Sequence, residues 1–142
     1  MKNIAIVDAG PLIALFDSSD QYHPKAKERL AAYRKEGGSL ISTWPVVTEV
    51  AHLLKKKVHF EAEMDFLKWI SMGGAELFEL ERNDLHHIVE LQSKYSDLSM
   101  DFADATLVLA AERLAIDKIF SFDKDFSIYR IPIKKHFHNL IK

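Results

Sequence analysis

Two short apolar runs, one near each end of the chain, are each followed by an aspartate. Residues 4–7 precede Asp8, and residues 119–122 precede Asp123. Runs of this kind are typical of buried strands, and in a parallel sheet the residue after a strand lies at its carboxyl end. Open α/β sheets place their sites at that edge. Since like charges gathered there normally need a cation to stay ionised, the pattern predicts a metal-dependent acidic site.

The composition narrows the class of protein. With 142 residues the chain is predicted to form one domain, residues 1–142, with a substantial core. The absence of cysteine excludes disulfides, thiolate metal sites and cysteine nucleophiles. No membrane-spanning run or signal peptide is recognisable, so we expect a cytoplasmic protein without membrane association. A net charge of -2 argues against purely electrostatic binding of nucleic acid, but it permits local basic patches.

The chain alternates between strand-like and helix-like segments. Strands are predicted at residues 4–7, 39–43, 75–80 and 118–123. Helices are predicted at residues 11–16, 24–36, from Pro45 onward, 60–72, 83–95 and 100–114, the last with Ser99 as its cap. Pro132 restricts residues 131–133 to an edge or a loop. The alternation predicts an α/β fold, a three-layer α/β/α arrangement with a mainly parallel central sheet.

Asp104 is the acid that most needs a functional explanation. Its neighbours on the next helical turns are Leu107, Val108 and Ala111, and an ionised carboxylate on such a surface costs roughly several kcal/mol unless it is paired or coordinates a metal. A structural pair with a lysine is the alternative. Asp101 lies one turn earlier, where a favourable interaction with the helix dipole explains it equally well.

The remaining acids each have a structural alternative as well. Asp8 is also suited to capping the helix that follows it, and Asp123 to a plain turn that it shares with Asp125. Glu49 falls in the second turn of a helix that follows a strand. A solvated helix face would explain Glu49 alone, whereas a fourth acid beside Asp8, Asp104 and Asp123 would complete a site of hard oxygen ligands.

Other common chemistries lack their patterns. The seven histidines form no pair at zinc-ligand spacing with an acid, and the five glycines form neither nucleotide-binding fingerprint. An aspartyl-phosphate phosphatase would place a second aspartate two residues after Asp8, where this chain has Gly10.

The order of the acidic motifs resembles the PIN-domain ribonucleases. Asp8 begins an Asp-Ala-Gly-Pro-Leu sequence, Glu49 follows the second strand, residues 100–105 read Met-Asp-Phe-Ala-Asp-Ala, and residues 121–126 read Ser-Phe-Asp-Lys-Asp-Phe. The resemblance covers most of the chain, and it is strongest to the small VapC-type toxins of bacterial toxin–antitoxin pairs. Both the single motifs and their order along the chain are therefore similar to those of the family.

The resemblance implies an endoribonuclease that depends on Mg²⁺ or Mn²⁺. The implied catalytic and metal-binding acids are Asp8, Glu49, Asp104 and Asp123, and the additional candidates are Asp101, Ser121 and Asp125. Asp8 and Asp104 would be the first metal ligands, and Glu49 would ligate or orient the attacking water. Asp123 would support a second metal, and Ser121 would hydrogen-bond an acid.

The implied partners are RNA and a small antitoxin protein, which would insert a helix or an arginine into the acidic pocket. A homodimer is also expected from the resemblance. Two alternatives stay open on the sequence alone: a housekeeping RNA-processing nuclease, and a catalytically weak PIN-fold module that binds RNA or protein.

Overall fold

The computed structural model describes residues 3–131 and 135–141. Its strands are β1 (Ile4–Val7), β2 (Ser39–Thr43), β3 (Glu76–Phe78), β4 (Lys118–Phe120), β5 (Arg130–Ile131), β6 (Lys135–His136) and β7 (His138–Asn139). Its helices are α1 (Ala9–Phe16), α2 (His23–Lys35), α3 (Trp44–Lys57), α4 (Phe60–Ser71), α5 (Leu85–Lys94) and α6 (Phe102–Leu114). Short 3₁₀ turns occupy Arg82–Asp84, Ser96–Leu98 and Lys124–Ser127.

Five strands form one parallel sheet in the order β3-β2-β1-β4-β7. The central pair is β1 and β4, with Val7 opposite Phe120. The N–H of Asp8 continues this ladder by donating to the carbonyl of Phe120 at 3.0 Å. The carboxyl ends of β1 and β4 therefore lie side by side, as the strand-ending aspartates predicted.

Helices cover the sheet and bury its apolar strands. Helix α1 packs against α2, α3 and α4, while α5 packs against α6. The interior includes fully buried Leu12, Val50 and Leu107 from three different helices. Each such side chain contributes roughly 1.5–3 kcal/mol of burial free energy. The predicted three-layer α/β/α fold is confirmed. Among the described residues no helix has the length and apolar character needed to cross a bilayer.

The start of α6 differs from the prediction. The helix begins at Phe102, and its cap is Asp101, so the assignment of the cap to Ser99 was wrong. Ser99 instead adopts a left-handed backbone conformation, with φ of 58°, at the end of the preceding 3₁₀ turn. The physical reason is a reciprocal capping box between Asp101 and Asp104, which fixes the first turn two residues later.

Strand ends were also predicted too long. β3 covers Glu76–Phe78 rather than residues 75–80, and β4 ends at Phe120 rather than continuing to Asp123. Residues 121–123 leave the sheet because their backbone groups bond to side chains, as described below. Helix α1 begins at Ala9, earlier than predicted, because the Asp8 carboxylate accepts the first free N–H.

The end of the chain adds a strand that the sequence did not reveal. β7 pairs in parallel with β4 and forms one edge of the sheet. Before it, β5 and β6 pair in antiparallel fashion outside the main sheet. Pro132 and Ile133 lie outside the described residues, so the prediction for them is not tested.

Candidate active site

Asp8 lies at the carboxyl end of β1 and is almost fully buried, with 8% of its surface exposed. Its Oδ1 accepts the N–H of Ala9 at 2.8 Å, and its Oδ2 accepts the hydroxyl of Ser121 at 2.8 Å. Burial raises the pKa of Asp8 to about 6, although these two hydrogen bonds oppose the shift. The cap predicted for Asp8 is thus present, and it leaves the carboxylate in a place where charge is costly.

Ser121 connects the two strand ends. Its Oγ donates to Asp8 and accepts the N–H of Asp123 at 2.9 Å. The peptide groups on both sides of Ser121 are held by Asn139 of β7, whose Oδ1 accepts the Ser121 N–H at 3.3 Å and whose Nδ2 donates to the Ser121 carbonyl at 2.8 Å. A side-chain amide thereby replaces a neighbouring strand, and it fixes the segment that carries Ser121 and Asp123.

Asp101 and Asp104 share the first turn of α6. The N–H of Asp104 donates to Asp101 Oδ1 at 2.8 Å, and the N–H of Asp101 donates to Asp104 Oδ2 at 3.3 Å. Asp101 is exposed, whereas Asp104 is partly buried. Burial, and then the charge of Asp101, raise the pKa of Asp104 to about 8. The two residues therefore differ: Asp101 caps the helix, and Asp104 is the carboxyl whose charged form is disfavoured by burial and by the charge of Asp101.

Asp123 begins the 3₁₀ turn after β4. Its Oδ1 accepts the N–H of Asp125 at 2.9 Å, and its carbonyl accepts the N–H of Phe126. The turn predicted as the structural alternative for Asp123 and Asp125 is therefore present. Asp123 also lies near Asp8, because the Ser121 hydroxyl bonds to the Asp8 carboxylate and to the Asp123 N–H.

Glu49 lies in the second turn of α3 and is partly buried. Burial raises the pKa of Glu49, and the charges of Asp101 and Asp8 raise it further. Glu49 lines a cavity of about 690 Å³ together with Asp101 and two exposed aromatic side chains, Trp44 and Phe102. This cavity forms one flank of the acidic residues.

The predicted acids act on one another across the carboxyl edge of the sheet. The charges of Asp123 and Asp101 both raise the pKa of Asp8, and the charges of Asp101, Asp8 and Asp123 all raise that of Asp104. The charges of Asp101 and Asp8 raise the pKa of Glu49 in the same way. We call these five residues, which come from four separate segments of the chain, the acidic cluster: Asp8, Glu49, Asp101, Asp104 and Asp123.

The donor set of the acidic cluster suits a hard divalent cation. Every candidate donor is a carboxylate or hydroxyl oxygen, the type that Mg²⁺ and Mn²⁺ prefer. Burial and mutual repulsion disfavour the charged forms of Asp8 and Asp104, and a cation would reverse that effect. Over residues 3–131 and 135–141 no three acids or histidines stand close enough to form a complete metal-binding group. Mg²⁺ commonly retains several waters and binds one or two carboxylates plus substrate phosphate, so a complete protein shell is not required.

Sequence reasoning missed three side chains around the acidic cluster. Tyr129 is fully buried, its hydroxyl makes no hydrogen bond to any described residue, and burial followed by the charge of Asp104 raises its pKa. Asn139 was missed because β7 has only two residues, too few to produce a pattern. Trp44 stands directly before Pro45 at the start of α3 and is exposed, and its place one turn before Glu49 was the available sequence signal.

Known proteins share both the sequence pattern and the fold. Ribonuclease VapC26 of Mycobacterium tuberculosis is 26% identical over 119 residues, which are 84% of this chain and 86% of that protein. The crystal structure of M. tuberculosis VapC20, a toxin that cleaves the sarcin–ricin loop, superposes with a TM-score of 0.79 at 20% identity. That match covers 88% of this chain and 93% of VapC20.

A second solved structure and a family model complete the comparison. VapBC2 of Rickettsia felis, bound to a DNA fragment from its promoter, contains a chain that matches with a TM-score of 0.65 at 13% identity. The match covers 96% of this chain and 98% of that one. The model of the PIN domain matches residues 5–132, nearly the whole chain and every member of the acidic cluster. This chain therefore belongs to the PIN-domain family.

Proposed function

We propose that this protein is an endoribonuclease that cleaves RNA phosphodiesters with Mg²⁺ or Mn²⁺, and that it is the toxin of a toxin–antitoxin pair. The observation that carries the proposal is the acidic cluster itself: acids at the carboxyl edge of the sheet whose charges raise the pKa values of Asp8, Glu49 and Asp104, in a chain of the PIN-domain family. A bound divalent cation would supply Lewis-acid activation of the attacking water and charge compensation at the phosphate.

Within this proposal the residues have separate roles. Asp8 and Asp104 are the first candidates to hold the cation, since both are disfavoured as free anions in the folded chain. Glu49, on the opposite side from Asp123, would orient or activate the water. Asp123 would support a second cation, with Asp101 and Asp125 as additional acids. Ser121 would act as a positioning residue, because it touches Asp8 and the Asp123 backbone together.

The proposed reaction is hydrolysis of the RNA backbone. A water oxygen adds to phosphorus, and the bond from phosphorus to one sugar oxygen breaks. One water proton passes to a carboxylate of the acidic cluster that acts as general base, and the other passes to the leaving sugar oxygen. Glu49, whose pKa is raised by burial and by the charges of Asp101 and Asp8, is the candidate to accept a proton from the water. The acidic cluster thus contains groups for both the cation and the proton transfers.

The proposed macromolecular partners are RNA and an antitoxin. The relatives support them by what their own names describe: a ribonuclease, a toxin that cleaves the sarcin–ricin loop, and a VapBC complex. We propose that the antitoxin of this chain places a helix or an arginine at the acidic cluster, that the free protein is a homodimer, and that it acts in the cytoplasm. A short reading frame for a DNA-binding protein beside this gene would support the toxin role over housekeeping RNA processing.

The test is a cleavage assay on the purified chain. Labelled tRNA and other structured RNAs are incubated with Mg²⁺, with Mn²⁺ or with EDTA, alongside the Asp8→Asn variant. We expect cleavage with either cation, none in EDTA, and a loss of at least a hundredfold in the variant. Cleavage that persists in both EDTA and Asp8→Asn would reject the metal-dependent site. Binding without cleavage under every condition would favour a non-catalytic PIN module.

A further inference from the structure

A second cavity, of about 680 Å³, opens on the other flank of the acidic cluster. Ser121 and Asp123 form its border with the cluster. Three basic or titratable side chains also line it, and they come from three separate elements: Lys25 from α2, Lys124 from the turn after β4, and His138 from β7. We call these three residues the basic flank.

The two lysines of the basic flank form no ion pair with any residue in the described part of the chain. Both are exposed, and neither lies within 4.0 Å of a carboxylate there. The ion pairs that the described residues do contain involve other cations, namely His87, Arg113 and Lys135. In a chain with a net charge of -2, two unpaired lysines beside an acidic cluster are available to an anionic ligand.

An exposed aromatic stack stands next to the basic flank. Tyr22 stacks on Phe122, with ring centroids 4.7 Å apart and an interplanar angle of 26°, and Tyr22 remains 45% exposed. Phe122 lines the same cavity and packs directly over Gly10, where an added Cβ would lie 3.2 Å from its ring. Phe122 is thus held in place, and it presents Tyr22 as a platform for a further planar group.

We propose that the basic flank and Tyr22 bind the RNA strand next to the scissile phosphate, with Lys25 and Lys124 on backbone phosphates and an unpaired base stacked on Tyr22. Lysines interleaved with an exposed aromatic ring are what a single-stranded nucleic acid requires, since phosphates meet the charges and any base can stack. Asp123 of the acidic cluster and its neighbour Ser121 line this cavity, so a strand bound there lies beside the cluster. This inference rests on the proposed function, and it specifies the substrate as RNA with unpaired nucleotides.

The test measures binding separately from cleavage. A short unstructured RNA labelled with a fluorophore is titrated by fluorescence anisotropy in EDTA, over a range of salt concentrations. The test variant is Lys25→Glu/Lys124→Glu. The matched control is Lys56→Glu/Lys57→Glu, which makes the same change of charge at exposed residues of the last turn of α3. Melting temperatures of all proteins verify that the fold is retained.

We expect the test variant to bind the RNA at least tenfold more weakly than the control variant does. Each phosphate contact on a single strand contributes about 0.7 to the slope of log K against log salt, so the slope should fall by about 1.4 in the test variant. Tyr22→Ala should weaken binding about tenfold without a change of slope, consistent with loss of one stacked base. Tyr22→Phe should restore it.

Equal affinity of the test and control variants would overturn the inference, even if the wild type cleaves RNA in Mg²⁺. Equal affinity of the wild type for the unstructured RNA and for its duplex would also overturn it. The proposed function fails differently: without cleavage in Mg²⁺ or Mn²⁺, but with the expected loss of binding in the test variant, the basic flank still binds RNA and the acidic cluster is not a nuclease.

Discussion

Asp8→Asn should stabilise the metal-free protein at alkaline pH. The pKa of Asp8 is about 6 in the folded chain, against 3.8 for an unperturbed aspartate. Because the pKa of Asp8 is higher in the folded chain than in the unfolded chain, ionisation of Asp8 costs the folded chain no stability well below pH 3.8. The free energy of unfolding then falls as the pH rises through 3.8 to about 6, and the full cost is present above that pH. Each pKa unit corresponds to about 1.4 kcal/mol, so Asp8 lowers the free energy of unfolding by about 3 kcal/mol at pH 8 and by about 0.6 kcal/mol at pH 4.

Asparagine removes this cost and keeps much of the local bonding. Its oxygen can still accept the Ala9 N–H, and its amide faces the Ser121 hydroxyl in place of Oδ2. We assign about 1 kcal/mol to the weakened hydrogen bonding, and this cost is the same at both pH values. The variant is therefore expected to be about 2 kcal/mol more stable than the wild type at pH 8, and slightly less stable at pH 4.

The assay is urea unfolding followed by far-ultraviolet circular dichroism in EDTA, at pH 4 and pH 8. Asp97→Asn is the control, because Asp97 is an exposed carboxylate that does not belong to the acidic cluster. A stability difference between Asp8→Asn and the wild type that is the same at both pH values would show that the pKa of Asp8 is not raised in the folded chain. A variant that is the less stable protein at pH 8 would show the same.

Three further substitutions probe the surroundings of the acidic cluster. Ser121→Ala should lower kcat about tenfold and move the acidic limb of its pH profile upward, because the Ser121 hydrogen bond lowers the pKa of Asp8; Ser121→Thr should retain both. Asn139→Ala should reduce the free energy of unfolding by about 2 kcal/mol in urea titrations, since two backbone groups of Ser121 lose their partner. Arg113→Ala should lower the melting temperature without a change in RNA cleavage, because Arg113 pairs at 2.7 Å with Asp84, which is not part of the acidic cluster, and holds the pKa of that carboxyl low. An unchanged melting temperature would contradict that role.

The convergence of Asp8 and Asp123 was predictable from the sequence because it depends on few assumptions. A buried strand followed by an acid needs only a parallel neighbour with the same ending, and β1 and β4 are such neighbours. Glu49 was predicted on a different ground, its place early in the helix that follows β2, and β2 lies on the other side of β1. The alternation of strands and helices predicts parallel strands, so the carboxyl ends of β1, β2 and β4 were expected at the same edge of the sheet.

Features that depend on a shift of one or two residues were not predictable. Asp101 and Asp104 both suit a helix start, and the reciprocal bonds that separate their roles exist only once the first turn is in place. The bonds from Asn139 to Ser121 need β7, whose two residues carry no periodic signal. Tyr129 packs against Tyr95, which is 34 residues earlier in the sequence, and against Phe126 in the preceding 3₁₀ turn, and neither contact belongs to a periodic pattern.

The central claim is that the acidic cluster cleaves RNA with a divalent cation. The most direct measurement is the single-turnover rate of RNA cleavage as a function of free Mg²⁺, for the wild type, Asp104→Asn and Asp97→Asn. We expect a rate that rises with Mg²⁺ to saturation and is abolished by EDTA. We also expect a loss of at least a hundredfold in Asp104→Asn and a rate close to wild type in Asp97→Asn. A rate that is independent of Mg²⁺, or equal in Asp104→Asn and the wild type, would show that the acidic cluster is not a metal-dependent nuclease site.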